Sequence, residues 1–250
     1  SKGIGRAIAL RLAQPGTHLC LCASAPSDDL DAIVADCRAA GAQAEGLAGN
    51  LADGAVPPRL VAEALGHMGG LDAVVSNAGI VAPGRLDSLD EAAWDRIFSV
   101  NVRSPWLLAR AAYPHLRATT GTFLAVASMS GVEPYPGTGA YSPSKAALIM
   151  LVRTLAQEWA GDGIRVNAIS PGLVATPMTA PIYADPVRKA AREALVPMHR
   201  IGNPGRDLAG VAAFMLSPDA AYVTGQNLLV DGGLIGSIQA NIAGRPASGS

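Results

Sequence analysis

Short apolar runs alternate with longer helix-patterned stretches along almost the whole chain, and no other feature narrows the fold as far. The strand candidates are HLCLCA (18–23), QAEGLA (43–48), LDAVVS (71–76), GTFLAVA (121–127), IRVNAIS (164–170) and QNLLVD (226–231). Several are apolar nearly throughout, as expected of strands covered by helices on both faces. Helical patterns fill the gaps at about 4–14, 28–40, 57–66, 89–117, 142–160 and 205–216. In SKAALIMLVRTLAQEWA, Leu148, Leu151, Leu155 and Trp159 recur at spacings of three and four and mark one buried stripe. The alternation predicts βαβ units on a parallel sheet, an α/β fold of three layers.

With 250 residues, the chain suits one such domain. Half the residues are hydrophobic but only 4% are aromatic, so the core rests on Ala, Val, Leu and Ile. A formal net charge of −1 argues against a nucleic-acid footprint, which needs a basic face. No uncharged apolar run approaches the ~18 residues of a membrane span. Cys20, Cys22 and Cys37 are too few for a disulfide framework. Cys20 and Cys22 alternate on one face of a strand with no His or Cys partner nearby, so the reading is buried thiols in a reducing compartment, with no metal site.

One segment breaks the rhythm. Between Leu173 and Gly202 there is no strand, only TPMTAPIYADP and a short helical piece. An insertion of that length is more often functional than structural, and it reads as a lid (about 173–202) over a site at the carboxyl ends of the strands. Residues 1–236 are expected to form the domain. Residues 237–250, ending in the small, polar NIAGRPASGS, are expected to be a loose tail.

The chemistry concentrates after the fourth strand. In YSPSK, Tyr141 and Lys145 lie four apart and share a helix face. An ammonium beside a phenol favours the phenolate, which makes Tyr141 a candidate general acid/base. Ser128, in ASMSG at the end of GTFLAVA, would face the same ligand crevice. SNAG (76–79) follows LDAVV, and its small residues let a ligand approach the backbone closely. Asn101 interrupts the helical WDRIFSVNVRSPW and, with Pro105 nearby, points to a bend or a functional contact. At the N-terminus, SKGIG runs straight into the helical RAIALRLA, like the second half of a phosphate-binding turn.

SKGIGRAIA, LDAVVSNAG, WDRIFSVN, Ser128, YSPSK, IRVNAISPGLVATPM and AAYVTGQNLLVDGG, in that order along nearly the whole chain, resemble the short-chain dehydrogenases/reductases. The C-terminal half most resembles the 3-oxoacyl-[acyl-carrier-protein] reductases of that family. The resemblance implies a Rossmann-type doubly wound sheet, a nicotinamide cofactor and the tetrad Asn101, Ser128, Tyr141 and Lys145. In it, Tyr141 gives a proton to the substrate carbonyl, Ser128 holds the carbonyl oxygen, and Lys145 binds the nicotinamide ribose and lowers the tyrosine pKa. Asn101 bends its helix and holds a water that relays protons to Lys145. The implied cofactor contacts are Ser1, Lys2, Gly3, Ile4 and Gly5; Ala23 and Ser24; Asn50 and Leu51; Asn77, Ala78 and Gly79; Tyr141 and Lys145; and Pro171, Gly172, Val174 and Thr176.

An acid at the end of the second strand would bind the adenosine ribose and repel a 2′-phosphate, but Ala23 and Ser24 stand there. With Lys2 in the glycine turn, NADP(H) is favoured over NAD(H). The expected function is hydride transfer between nicotinamide and a ketone or secondary alcohol, with a 3-oxoacyl thioester as the first substrate class. A sugar, steroid or cyclic ketone is the alternative, and a non-catalytic dinucleotide-binding regulator the competing class. The substrate lining is read as the 80–86 turn, Val132 to Tyr135, Met178, Ile182 and Tyr183, with Arg85 and Glu133 as polar contacts. Arg96, Arg103, Arg110 and Arg117 recur every seven residues. They could meet an acidic acyl carrier protein, but a solvated or subunit-facing edge is the favoured reading. The resemblance further implies a cytoplasmic homotetramer or dimer pairing through helices 89–117 and 142–160. It also places a strand, roughly ten residues with its turn, before Ser1 and between the strands at 18–23 and 71–76. A chain lacking that strand is expected to fold poorly or bind cofactor weakly.

Overall fold

A computed structural model describes residues 2–237. The Ser1 contact and all but the first residue of the expected 237–250 tail lie outside the described residues. Helix α1 (Gly3–Leu12) leads into strand β1 (His18–Ala23), α2 (Asp28–Ala39), β2 (Gln43–Ala48), α3 (Val56–Met68) and β3 (Ala73–Ser76). Next come α4 (Glu91–Phe98), a π-helical turn (Ser99–Arg103), α5 (Ser104–Thr119), β4 (Thr122–Val126), α6 (Tyr141–Trp159) and β5 (Arg165–Pro171). Two short helices, α7 (Ala180–Tyr183) and α8 (Pro186–Leu195), precede α9 (Ala209–Leu216) and β6 (Asn227–Val230).

All described strand pairs are parallel, and they form two sheets. One has the order β3-β4-β5-β6, with Ala125 beside Ala168 and Ile169 beside Leu228; the other pairs β1 with β2. Strand β4 is buried at every position, while β1 is exposed at His18 and Cys22. The core of the larger sheet is aliphatic, as the composition implied: Leu148, Val152, Leu155 and Trp159 of α6 and Ala109, Ala112 and Leu116 of α5 pack on Phe123, Ala125, Val166 and Ala168. Tyr113 of α5 stacks obliquely on Trp159 with ring centroids 5.0 Å apart.

Edges β1 and β3 do not pair with each other, and residues of both line one cavity of about 1610 Å³. Helix α1 links the two sheets. Its Ile8 packs with Leu124, Val126 and Ile169, whereas the adjacent Ala9 packs with Leu30, Ile33 and Ala44 of the β1–β2 unit. An ion pair from Arg6 to Asp36 of α2 reinforces the second contact. The structure corrects the reading of the thiols: Cys37 is buried, Cys20 half-buried and Cys22 exposed.

The helix expected at 89–117 is divided. The turn over Ser99–Arg103 is π-helical. Three of the four arginines have separate partners: Arg103 donates to the Ala52 carbonyl (2.6 Å), Arg110 lies over the Trp106 ring (4.9 Å), and Arg117 pairs with Asp162 (3.0 Å). No helix among the described residues is long and apolar enough to cross a membrane.

Candidate active site

The carboxyl end of β4 and the start of α6 set the reactive groups. Strand β4 ends at Val126, and Ser128 caps a 3₁₀ turn by accepting from the Ser130 N–H (3.1 Å). Thirteen residues after Ser128, α6 begins at Tyr141 itself, and both residues line the same cavity. Burial pushes the Tyr141 phenol above its ordinary pKa, and a hydrogen bond with Ser128 opposes that shift. One helical turn on, Lys145 is 2% exposed, with its Nζ donating to the Val126 carbonyl (2.8 Å) and lying 5.8 Å from the centre of the Tyr141 ring. Burial also drives Lys145 down to about 8. Desolvation acts on both groups, and the Lys145 ammonium is held by a strand carbonyl.

Asn101 is fully buried in the π-helical turn, the bend that its placement in the sequence suggested. Its Oδ1 accepts from the Ile80 N–H (2.9 Å), and its Nδ2 donates to the Ile80 carbonyl (2.9 Å) and to Ser144 Oγ (3.0 Å). Ser144 in turn donates to the Tyr141 carbonyl (2.7 Å). The amide thus clamps the loop after β3 to the first turn of α6. Ser144, a residue that sequence reasoning passed over, completes this clamp.

The same cavity gathers the expected nucleotide contacts. It is lined by Lys2, Gly3, Ile4 and Gly5, by Ala23 and Ser24 after β1, by Asn50 and Leu51 after β2, and by Asn77, Ala78 and Gly79 after β3. Pro171, Gly172, Val174 and Thr176 after β5 line it as well, together with Ser128, Tyr141 and Lys145. Gly3 has φ of +55°, and a Cβ on Gly5 would come within 2.6 Å of Asn77 Nδ2, so the start of α1 is packed against the β3 loop with room only for glycine. Lys2, at the N-cap of α1, offers no side-chain cap, so the first backbone N–H groups of the helix remain open to an anion. A glycine turn, open helix N–H groups and a crevice at the strand ends fit a dinucleotide.

Two features at the ribose end and the substrate end were not read from the sequence. Lys2 pairs with Asp29 of α2 at 2.7 Å, in a first turn that also carries Asp28 and Asp31. On α8, Arg192 lines the cavity with Tyr183 and Met178. Arg85 instead pairs with the exposed Asp87 (3.0 Å); of the expected 80–86 turn only Ile80 lines the cavity, and Val132 to Tyr135 and Ile182 do not.

A dinucleotide-type crevice with a serine–tyrosine–lysine cluster at its wall defines an α/β oxidoreductase. Residues 1–235 match the family model described as enoyl-(acyl carrier protein) reductase. Dehydrogenase/reductase SDR family member 4 of Bos taurus is 37% identical over 234 residues, 92% of this chain and 83% of the relative. The 3-oxoacyl-[acyl-carrier-protein] reductase of Staphylococcus epidermidis is 32% identical over 235 residues, 94% of this chain and 95% of the relative. A solved structure from Beutenbergia cavernae, a candidate NAD(P)-dependent gluconate 5-dehydrogenase with NADP bound at low occupancy, superposes with a TM-score of 0.87 at 35% identity, covering 94% of each chain. The chain belongs to the short-chain dehydrogenase/reductase family, and it is an NAD(P)-dependent oxidoreductase acting on CH–OH groups.

Proposed function

We propose that this enzyme works as an NADP(H)-dependent reductase of ketones, with 3-oxoacyl thioesters as the first substrate class to test. The observation that carries this reading is that Tyr141, Ser128 and Lys145 line the same cavity wall that the glycine turn also enters, with the Lys145 Nζ 5.8 Å from the centre of the Tyr141 ring. A bound nicotinamide supplies the hydride. Ser128 holds the carbonyl oxygen, and Tyr141 gives that oxygen its proton. A phenol whose pKa is raised by burial is protonated before turnover, which favours the reductive direction at neutral pH. Lys145, anchored on the β4 carbonyl beside Tyr141, would hold the nicotinamide ribose. Asn101 and Ser144 fix the first turn of α6.

The relatives differ in the substrates that their names print, an acyl thioester for one and a sugar acid for another, so the substrate class rests on resemblance in the C-terminal half. Lys2 supports NADP(H). Exposed Trp94, Trp106 and Met150 on α4, α5 and α6 support a homo-oligomer formed through those helices, and the free thiols support a reducing, cytoplasmic setting. The test is consumption of NADPH at 340 nm with acetoacetyl-CoA by the wild type and by Tyr141→Phe. The variant is expected to lose activity by about 10²- to 10⁴-fold, as removal of a general acid does, while melting and binding NADPH like the wild type. An unchanged rate in Tyr141→Phe would sink the assignment.

A further inference from the structure

The segment between β5 and α9 carries a cation whose placement the reaction itself does not explain. Helix α8 bears several charged residues, and its outer ones neutralise one another: Arg188 pairs with Asp185 (3.2 Å) and Lys189 with Glu193 (3.7 Å). Arg192 pairs with no carboxylate among the described residues. Its guanidinium lies over the Tyr183 ring at 5.8 Å, and its Nη2 donates to the Tyr135 hydroxyl across 3.4 Å. Most of its five N–H donors are left free in a fork suited to carboxylate or phosphate.

Its neighbours place it at the substrate end of the cavity. The Tyr135 N–H donates to Ser142 Oγ (3.4 Å), one residue beyond Tyr141, so the residue that meets Arg192 is fastened beside the proton donor. Arg192, Tyr183, Ser128 and Tyr141 all line the same cavity. The Tyr183 hydroxyl is buried without a hydrogen-bond partner, a donor that a bound acceptor would satisfy after a small shift of α7. Arg96 also lines the cavity without a carboxylate partner, but no second polar group is held against it.

We propose that Arg192, supported by Tyr135 and Tyr183, anchors an oxyanion carried by the substrate, so that the preferred substrates are anionic ketones. The proposal rests on the carbonyl-reductase reading and names its substrate class. A carboxylate on the ketone and a phosphate on a carrier arm present the same oxyanion chemistry, and two arms of one experiment separate them.

In the first arm, 3-oxobutanoate, 4-oxopentanoate and 5-oxohexanoate are each compared with their methyl esters as substrates with NADPH. In the second, acetoacetyl-CoA is compared with the acetoacetyl thioester of N-acetylcysteamine, which lacks the phosphates. The wild type is expected to favour the anionic member by at least tenfold in kcat/KM in one arm. Arg192→Met should lose that preference, Arg192→Lys should keep part of it, and the KM for NADPH should change less than twofold. Arg188→Met, on the outer face of the same helix, controls for damage to α8 and should keep the wild-type ratio. A wild-type ratio near one in both arms, or the same ratio in Arg192→Met, overturns the anchor. A loss confined to the KM for NADPH assigns Arg192 to the cofactor and overturns it too. No turnover of any of these ketones by the wild type fails the carbonyl-reductase reading instead, and the anchor with it.

Discussion

The two sheets of this molecule treat their chemistry differently. Strands β4 and β5 lie inside a four-stranded sheet, with Ser128 just past the carboxyl end of β4 and Tyr141 and Lys145 at the start of α6. Strands β1 and β2 form a pair whose β1 edge opens on the cavity, and the ribose-end residues hang from that pair. In the first region the side chains around Tyr141 are held by backbone: Lys145 on Val126, Asn101 on Ile80, Ser128 on Ser130. In the second, Arg38 is likewise held by the Ala44 carbonyl, but the Lys2–Asp29 pair at the nucleotide end joins two half-exposed side chains and is free to exchange.

Backbone packing gives the sharpest contrast between them. A Cβ on Gly131 would lie 2.7 Å from the Lys145 carbonyl carbon and 2.8 Å from its oxygen, both atoms of the α6 backbone. A Cβ on Gly46 of β2 would meet only the side chains of Leu30 (3.2 Å) and Val34 (3.4 Å), which can shift. Gly131→Ala must therefore push α6 away from the Ser128 turn. We expect a loss of about 1–3 kcal/mol of stability, as overpacking of a well-filled interior gives, with at least a tenfold fall in kcat. Gly46→Ala should cost less stability and leave kcat within twofold. Denaturant titrations and steady-state rates of the two variants check this, and equal losses in both would erase the distinction between the regions.

Much of this arrangement was legible in the sequence, for physical reasons that differ by region. Strand TFLAV stands out because burial on both faces leaves it nearly all apolar, and its ends shift by one residue in the structure, as do those of RVNAISP, whose buried Asn167 and Ser170 are hydrogen-bonded. The stripe on α6 was legible because Leu148, Leu155 and Trp159 are buried and Leu151 packs beside them. Asn101 betrayed the bend in its helix but not its kind, since a π-helical turn has no composition of its own. Contacts across sequence were hidden. Nothing in SKGIG announces that Lys2 meets Asp29, and the helical pattern of PVRKAAREAL does not say which of its cations faces inward. The separation of β1 from β3 came only from family resemblance, because the missing pairing leaves no mark on either strand.

Lys145 supplies the next measurement, of the closed region. Its pKa falls from an ordinary value of 10.5 to about 8 because burial removes the ammonium from water. Below pH 8 the group is charged in both the folded and unfolded chain, and its burial penalty is constant. Between about 8 and 10.5 the unfolded chain holds a proton that the folded chain has lost, so this group's contribution to stability rises with pH. The slope is at most about 1.4 kcal/mol per pH unit. Comparing wild type with Lys145→Met by urea denaturation from pH 7.5 to 9.5 isolates it: the wild type should gain on the variant as pH rises. Parallel curves would mean that water reaches the ammonium and that this region is not closed after all.

The smallest expected effect lies in the open region, where one ion pair bears on cofactor choice. Lys2 and Asp29 are each about half exposed in their side chains, so their pairing holds little of the fold and is free to be exchanged. An adenosine 2′-phosphate arriving there would compete with the Asp29 carboxylate for the ammonium and would meet the charge of Asp28 and Asp31 nearby. Asp29 therefore works against NADPH, and Lys2 works for it. Lys2→Ala should weaken NADPH binding about three- to tenfold with NADH little changed, and Asp29→Asn should strengthen NADPH binding a few-fold, both read by fluorescence titration at low salt, where exposed charges act most strongly. Equal weakening of the two cofactors by Lys2→Ala would show that the lysine serves the glycine turn alone. Tighter NADH binding by Asp29→Asn, with NADPH unchanged, would remove the carboxylate from the 2′ position and leave the preference to be set by the backbone between Ala23 and Ser27.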